Sequence, residues 1–215
     1  MSSRHNSIIK PGFFEIFCGP VKSSKTREII NRIDKLQYVE GSKFQLFNPA
    51  VNVRDEEVTS RFGELSFPCA FIDESNPYDI LDRLESGVDL VGIDEGQFFG
   101  EGIENVVEAL LRKDIHVLLA GLDMDFRGEP FGKMPYLLSM ADSVVKLTGA
   151  CEYNSCKNAA TRTQRLDNNK PANYDALLIV IDGSANSEYQ CRCLEHHVVP
   201  GKPKAAKVKS INNIE

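Results

Sequence analysis

The 215 residues predict an α/β fold: a parallel sheet covered by helices on both faces, followed by a second, small domain. Three observations carry this. Strand-like and helix-like segments alternate from about residue 13 to 150, which implies parallel strands joined by crossover helices. Two strand segments are apolar throughout, as strands buried on both faces are. The alternation stops near residue 150, where short polar segments and four of the six cysteines take over.

The elements follow in order. "FFEIFCG" is a short apolar run ending at Gly19, the first strand. Ile29, Ile30, Ile33 and Leu36 then recur at helical spacing. "KFQLFNP" alternates as a strand does. "SNPYDILDRLESG" predicts a punctuated helix, with Ser75 or Asn76 as cap, Pro77 in the first turn and Gly87 as the stop. "VDLVGID" is a buried strand. Ile103, Val106, Val107, Leu110 and Leu111 mark an amphipathic helix. "IHVLLAGL" is a second buried strand and "SVVKLTG" a third buried strand. The expected boundaries are 1–149 for the α/β domain, 150–202 for the small domain and 203–215 for a disordered tail.

Composition narrows the function classes. Hydrophobic residues make up 42% and charged residues 26%, the balance of a globular protein. No apolar run reaches the roughly 20 residues of a membrane span, and the first residues lack a signal-peptide apolar core. A cytoplasmic protein without membrane partners is expected. The net charge of −6 disfavours a nucleic-acid-coating role. In a reducing cytoplasm the cysteines stay unpaired. Cys18 and Cys69, in apolar surroundings, read as core residues, whereas Cys151, Cys156, Cys191 and Cys193 need another explanation.

"GPVKSSKT" at 19–26 nearly fits the phosphate-cradling pattern G-x-x-x-x-G-K-[ST]. Gly19, Lys25 and Thr26 are in register, and Pro20, Val21, Lys22 and Ser23 fill the loop. Ser24 stands where the second glycine belongs. The stretch follows a strand and precedes a helix, so backbone N–H groups and the helix N-terminus point at an anion. Lys25 would reach the outer phosphates, and Thr26 would ligate Mg²⁺. Two conformations are open at position 24. With helical dihedrals serine costs little, whereas a positive φ favours glycine.

"LVGIDEGQFF" ends a buried strand in two carboxylates, Asp94 and Glu95. Ligands of open parallel sheets bind beyond the carboxyl ends of strands. Asp94 is placed to hold Mg²⁺ opposite Thr26. By strand alternation Glu95 points to the other side, where it can take a proton from a substrate hydroxyl.

With both stretches quoted, the chain resembles the type II, or thymidine kinase 1-like, thymidine kinase family, from about residue 12 to 202. The family's loop reads GPMFSGKT or GPMFAGKT. Its DEGQFF is intact at Asp94–Phe99, and its GLDxxFxxxPFG at "GLDMDFRGEPFG", 121–132. "TSRFG" at 59–63 and "AATRTQRL" at 159–166 are similar to further family segments. The resemblance implies a RecA-like P-loop α/β domain, a small zinc-ribbon-like domain with a long substrate-covering loop, and a homotetramer. It implies γ-phosphate transfer from ATP, with Mg²⁺, to the 5′-hydroxyl of thymidine, or of deoxyuridine. Carried over by position, Glu95 is the general base. Phe98, Leu122 and Phe126 wall the thymine, and Thr163 and Tyr189 close the pocket. Arg162 and Arg165 are exposed candidates near the phosphates or the loop.

The family's metal pattern is C-x2-C followed by C-x2-C or C-x2-H. Cys151 and Cys156 form a wider first pair, still within the range zinc sites use. Cys193-x2-His196 has the expected spacing and keeps Tyr189 four residues before the cysteine, as in the family. The expected structural Zn²⁺ ligands are therefore Cys151, Cys156, Cys193 and His196, with Cys191 as the substitute. Ser24, and Val21-Lys22 in place of a Met-Phe pair, depart from the family. They motivate an alternative reading as a nucleotide-binding regulator without turnover. A zinc ribbon that binds nucleic acid, carried on an ATPase, is a further alternative, disfavoured by the acidic charge.

Overall fold

The computed structural model describes residues 7–52, 57–59, 66–180 and 186–203. Positions 60–63 of "TSRFG" and the tail from 204 on lie outside the described residues. In chain order the strands are β1 (Phe14–Cys18), β2 (Phe44–Pro49), β3 (Glu57–Thr59), β4 (Ser66–Pro68), β5 (Ala70–Ile72), β6 (Leu90–Ile93), β7 (His116–Gly121) and β8 (Ser143–Lys146). The helices are α1 (Lys25–Asp34), α2 (Asp79–Asp82), α3 (Ile103–Arg112) and α4 (Met134–Met140). Six strands form one sheet in the order β5-β2-β6-β7-β1-β8, all parallel. β7 thus separates β1, which leads into the phosphate loop, from β6, which leads to Asp94. The expected α/β parallel sheet is present.

The period of two along each strand divides the core. Phe14, Ile16 and Cys18 of β1 join Val91, Ile93, Val117 and Leu119 on the α3 side. Phe17, Leu90, Leu118 and Ala120 face α1. Both helices answer with buried stripes: Ile29, Ile30 and Ile33, and Ile103, Val106, Val107 and Leu110. Burying one such side chain is worth about 1.5–3 kcal/mol. Gly92 leaves room for Leu46 of β2 and for α1, since a Cβ there would lie 2.4 Å from Leu46 Cδ2 and 3.2 Å from Ile29 Cγ2.

Three expectations need correction. The helix expected over "SNPYDILDRLESG" is a single turn, Asp79–Asp82, capped by neither Ser75 nor Asn76. Ser75 instead donates its N–H and hydroxyl to Asp73 Oδ1, and Asn76 Nδ2 donates to Asp79 Oδ1, so local polar bonds compete with the helix. β8 is an edge strand with exposed Val144 and Val145, unlike the buried strands. α4 has no counterpart among the expected elements; its buried stripe is only Met134 and Leu137, too short to register as a period.

After β8 come β9 (Gly149–Ala150), β10 (Ala159–Ala160), β11 (Arg162–Asp167), β12 (Lys170–Pro171) and β13 (Ser187–Arg192). β9 and β10 pair, and β11 lies between β12 and β13, all antiparallel. The register sets Thr163 opposite Cys191 and Arg165 opposite Tyr189.

Candidate active site

The strand–loop–helix passage from β1 to α1 is a tight turn over the end of the sheet. Gly19 is required there: with φ 143°, a Cβ would lie 2.3 Å from the Leu147 carbonyl oxygen. Lys22 and Ser24 also have positive φ, 57° and 68°. Position 24 therefore takes the conformation that favours glycine, not the helical one. Pro20 O accepts from Ser23 Oγ at 2.8 Å and from Lys25 Nζ at 2.7 Å. Burial pushes the Lys25 ammonium below its ordinary pKa, against the pull of Glu95 and Asp94.

Thr26 Oγ1 donates to Asp94 Oδ2 at 2.9 Å, and Asp94 Oδ1 accepts from Glu95 N at 2.9 Å. The two sequence-distant motifs thus meet. Burial, and then the neighbouring Glu95 charge, push Asp94 up to about 7. The expected strand alternation does not orient Glu95. β6 ends at Ile93, and Glu95 has a left-handed backbone, φ 51°. Its carboxylate is instead held by Gln97, whose Nε2 donates to Glu95 Oε2 at 2.6 Å while its Oε1 accepts from Leu122 N at 2.8 Å. Gln97 is buried and lies inside the quoted DEGQFF stretch, yet only the fold shows what it holds.

Phe98 meets Phe131 edge-on at 5.8 Å, and Leu122, just after β7, and Phe126 are buried. Thr163 is buried against the phosphate loop, where its Oγ1 accepts from Val21 N at 3.1 Å. Tyr189 OH donates to Val180 O at 2.9 Å, and burial raises its pKa. Arg165, expected to be exposed, is buried. It is 1% accessible, lies 4.3 Å over the Phe126 ring, and pairs with Asp167 at 3.0 Å. Arg162 is half-buried and donates to Thr161.

Cys151, Cys156, Cys193 and His196 place their ligand atoms within 4.8 Å of one another. Cys156 and Cys193 sulfurs are 4.0 Å apart, and Cys193 Sγ lies 3.2 Å from His196 Nδ1. Four N/S donors at these separations suit a tetrahedral metal site. Cys191 stays outside it, with its thiol on the Val21 carbonyl. Among the described residues no helix is long and apolar enough to cross a membrane.

A family model described as thymidine kinase matches residues 12–197. The chain belongs to the thymidine kinase family. A thymidine kinase of Mycoplasmoides gallisepticum (strain R(low / passage 15 / clone 2)) is 39% identical over 209 residues, which cover 94% of this chain and 88% of that relative. Membership in the thymidine kinase family makes the protein a kinase. Nothing favours the regulator reading, since Lys25, Thr26, Asp94 and Glu95 are all present and gathered in one site.

Proposed function

We propose that the protein transfers the γ-phosphate of ATP to the 5′-hydroxyl of thymidine. The observation that carries this is the meeting of Thr26 with Asp94, beside Lys25 and Glu95, in a chain of the thymidine kinase family. In this reading residues 19–26 cradle the ATP phosphates. Lys25 leaves the Pro20 carbonyl to neutralise the transferring group. Glu95, steadied by Gln97, accepts the proton of the 5′-hydroxyl. Phe98, Leu122 and Phe126 wall the thymine ring. Thr163 and Tyr189 belong to the closing side.

The hydroxyl of Thr26 and the crowded carboxylate of Asp94 are hard oxygen ligands that fit Mg²⁺, and a cation there would relieve the Asp94–Glu95 repulsion. Mg²⁺ arriving with ATP would supply charge neutralisation at the phosphates. A structural Zn²⁺ on Cys151, Cys156, Cys193 and His196 would tie the ends of the segment that carries Thr163 and Tyr189. We further assign residues 1–149 to a nucleotide-binding domain, 150–202 to a metal and substrate-loop domain, and the whole to a cytoplasmic homotetramer.

The test is incubation with ATP, Mg²⁺ and single nucleosides, followed by separation of products. Thymidine 5′-monophosphate is expected. A metal-loaded protein that binds ATP but phosphorylates neither thymidine nor deoxyuridine would overturn the reading.

A further inference from the structure

One phosphate-loop residue, Val21, is held at its N–H, its carbonyl and its side chain by the metal-bearing lobe. Val21 N–H donates to Thr163 Oγ1 at 3.1 Å. Val21 O accepts from the Cys191 thiol. Thr163 and Cys191 are directly opposed on β11 and β13, so a single cross-strand pair takes both backbone groups. The Val21 side chain packs on the cluster of Cys151, Ala160, Cys191 and Cys193. The next residue is held as well: Lys22 Nζ pairs with Glu152 Oε2 at 2.8 Å. Glu152 is itself laced to Cys191, donating its N–H to Cys191 O at 2.9 Å and accepting Cys191 N–H on Oε1. Gly149 permits this approach, because a Cβ there would lie 2.6 Å from Cys191 Sγ.

The same loop carries two non-glycine residues with left-handed backbones, Lys22 and Ser24. Such conformations persist only where the surroundings over-determine them. The surroundings here are the hairpin and Glu152. Neither Cys191 nor Glu152 belongs to the four-residue metal cluster, so their contacts with the loop are separate from metal ligation.

We propose that Thr163, Cys191 and Glu152 are positioning residues for ATP: the metal-bearing lobe clamps Val21 and Lys22 and so holds the phosphate loop in its strained shape. The proposal rests on reading residues 19–26 as the ATP loop. It explains why a lysine and a serine are tolerated there. Lys22 has an anionic partner in the second lobe, and Ser24 has its strain borne by contacts made three residues earlier. The clamp also links metal-lobe folding to nucleotide affinity without any metal–nucleotide contact.

The test uses the full-length, metal-loaded protein and the variant Glu152→Gln/Cys191→Ala, with Thr163→Val as an independent second variant. Glutamine retains an acceptor for Cys191 N–H and loses only the charge. Two quantities are read: amide hydrogen exchange of residues 19–26 without ligand, and the dissociation constant of Mg-ATP. Exchange is expected to rise and ATP affinity to fall about two- to tenfold in both variants, with metal content unchanged, and thymidine KM unchanged in Glu152→Gln/Cys191→Ala. Adding Ser24→Gly is expected to recover most of the lost affinity, since glycine adopts the left-handed backbone without the clamp. A merely structural contact would not show that rescue. Unchanged exchange in both variants, or a loss that Ser24→Gly leaves untouched, overturns the clamp. If the unmodified protein binds no ATP, the reading of the loop fails, and the exchange measurement still decides the clamp.

Discussion

Gln97 Nε2 lies 2.6 Å from Glu95 Oε2 and donates to it, while the same carboxamide accepts the N–H of Leu122 at 2.8 Å. One buried side chain therefore links the carboxylate beyond β6 to the backbone beyond β7. Glu95→Gln should lower turnover about 100- to 10,000-fold while ATP binding persists, because the proton acceptor is gone and the shape is kept. Steady-state rates with ATP titrations check this. Near-normal turnover at saturating substrates would remove Glu95 from the base role.

Ser24→Gly should stabilise the protein. At φ 68° a serine pays the left-handed cost, about 1 kcal/mol or somewhat more, that glycine avoids. The greater freedom of glycine in the unfolded chain offsets part of it, about 0.5–1 kcal/mol. A net gain between zero and about 1 kcal/mol is expected in chemical denaturation. Lys25→Ala, by contrast, should abolish most turnover because the transferring group loses its cation.

About one metal ion per chain should be found by elemental analysis. Cys193→Ser or His196→Ala should release it, and Cys191→Ser should not, since only the first two belong to the cluster. Retention in the first pair with loss in the third would transfer ligation to Cys191.

Asp94→Asn should stabilise the free protein and destroy activity. Folding raises this pKa from 3.8 to about 7, so the native state favours the neutral acid. The cost of the charged form appears as pH rises above about 4 and is complete above about 7. The asparagine variant should gain up to about 4 kcal/mol across that window. Melting temperatures taken from pH 5 to 8 read the difference, and a gain that shrinks with rising pH would refute the assignment.

Glu15 shows the opposite sign. Burial raises its pKa, but His116, Lys10 and Arg32 together outweigh that and bring it from 4.5 to about 2. The stabilisation is fully present above about 4.5 and is lost as pH falls through 2. Glu15→Gln should cost about 2–3 kcal/mol at neutral pH, and the gap from the unsubstituted protein should narrow below pH 4.5. Denaturation midpoints between pH 7 and 3 test it.

Much of this molecule is written in local order. The apolar runs of β1, β6 and β7 name the buried strands, because a strand covered on both faces has no polar position to spare. The spacing of Lys25-Thr26, Asp94-Glu95 and Cys193-x2-His196 names the groups gathered at the two sites, since each group is needed by its own chemistry. What tertiary structure decided is how those groups are held. The left-handed backbone of Ser24 is not written in its local sequence, and the partner of Lys22, Glu152, lies more than a hundred residues away. Arg165 looked exposed because arginine usually is, but a phenylalanine face and Asp167 bury it. The direction of Glu95 was set by Gln97 and a left-handed turn rather than by strand alternation. Periodicity reports which face of an element is buried; it carries no information about which distant atom meets a given side chain, and that meeting is where backbone strain and pKa are decided.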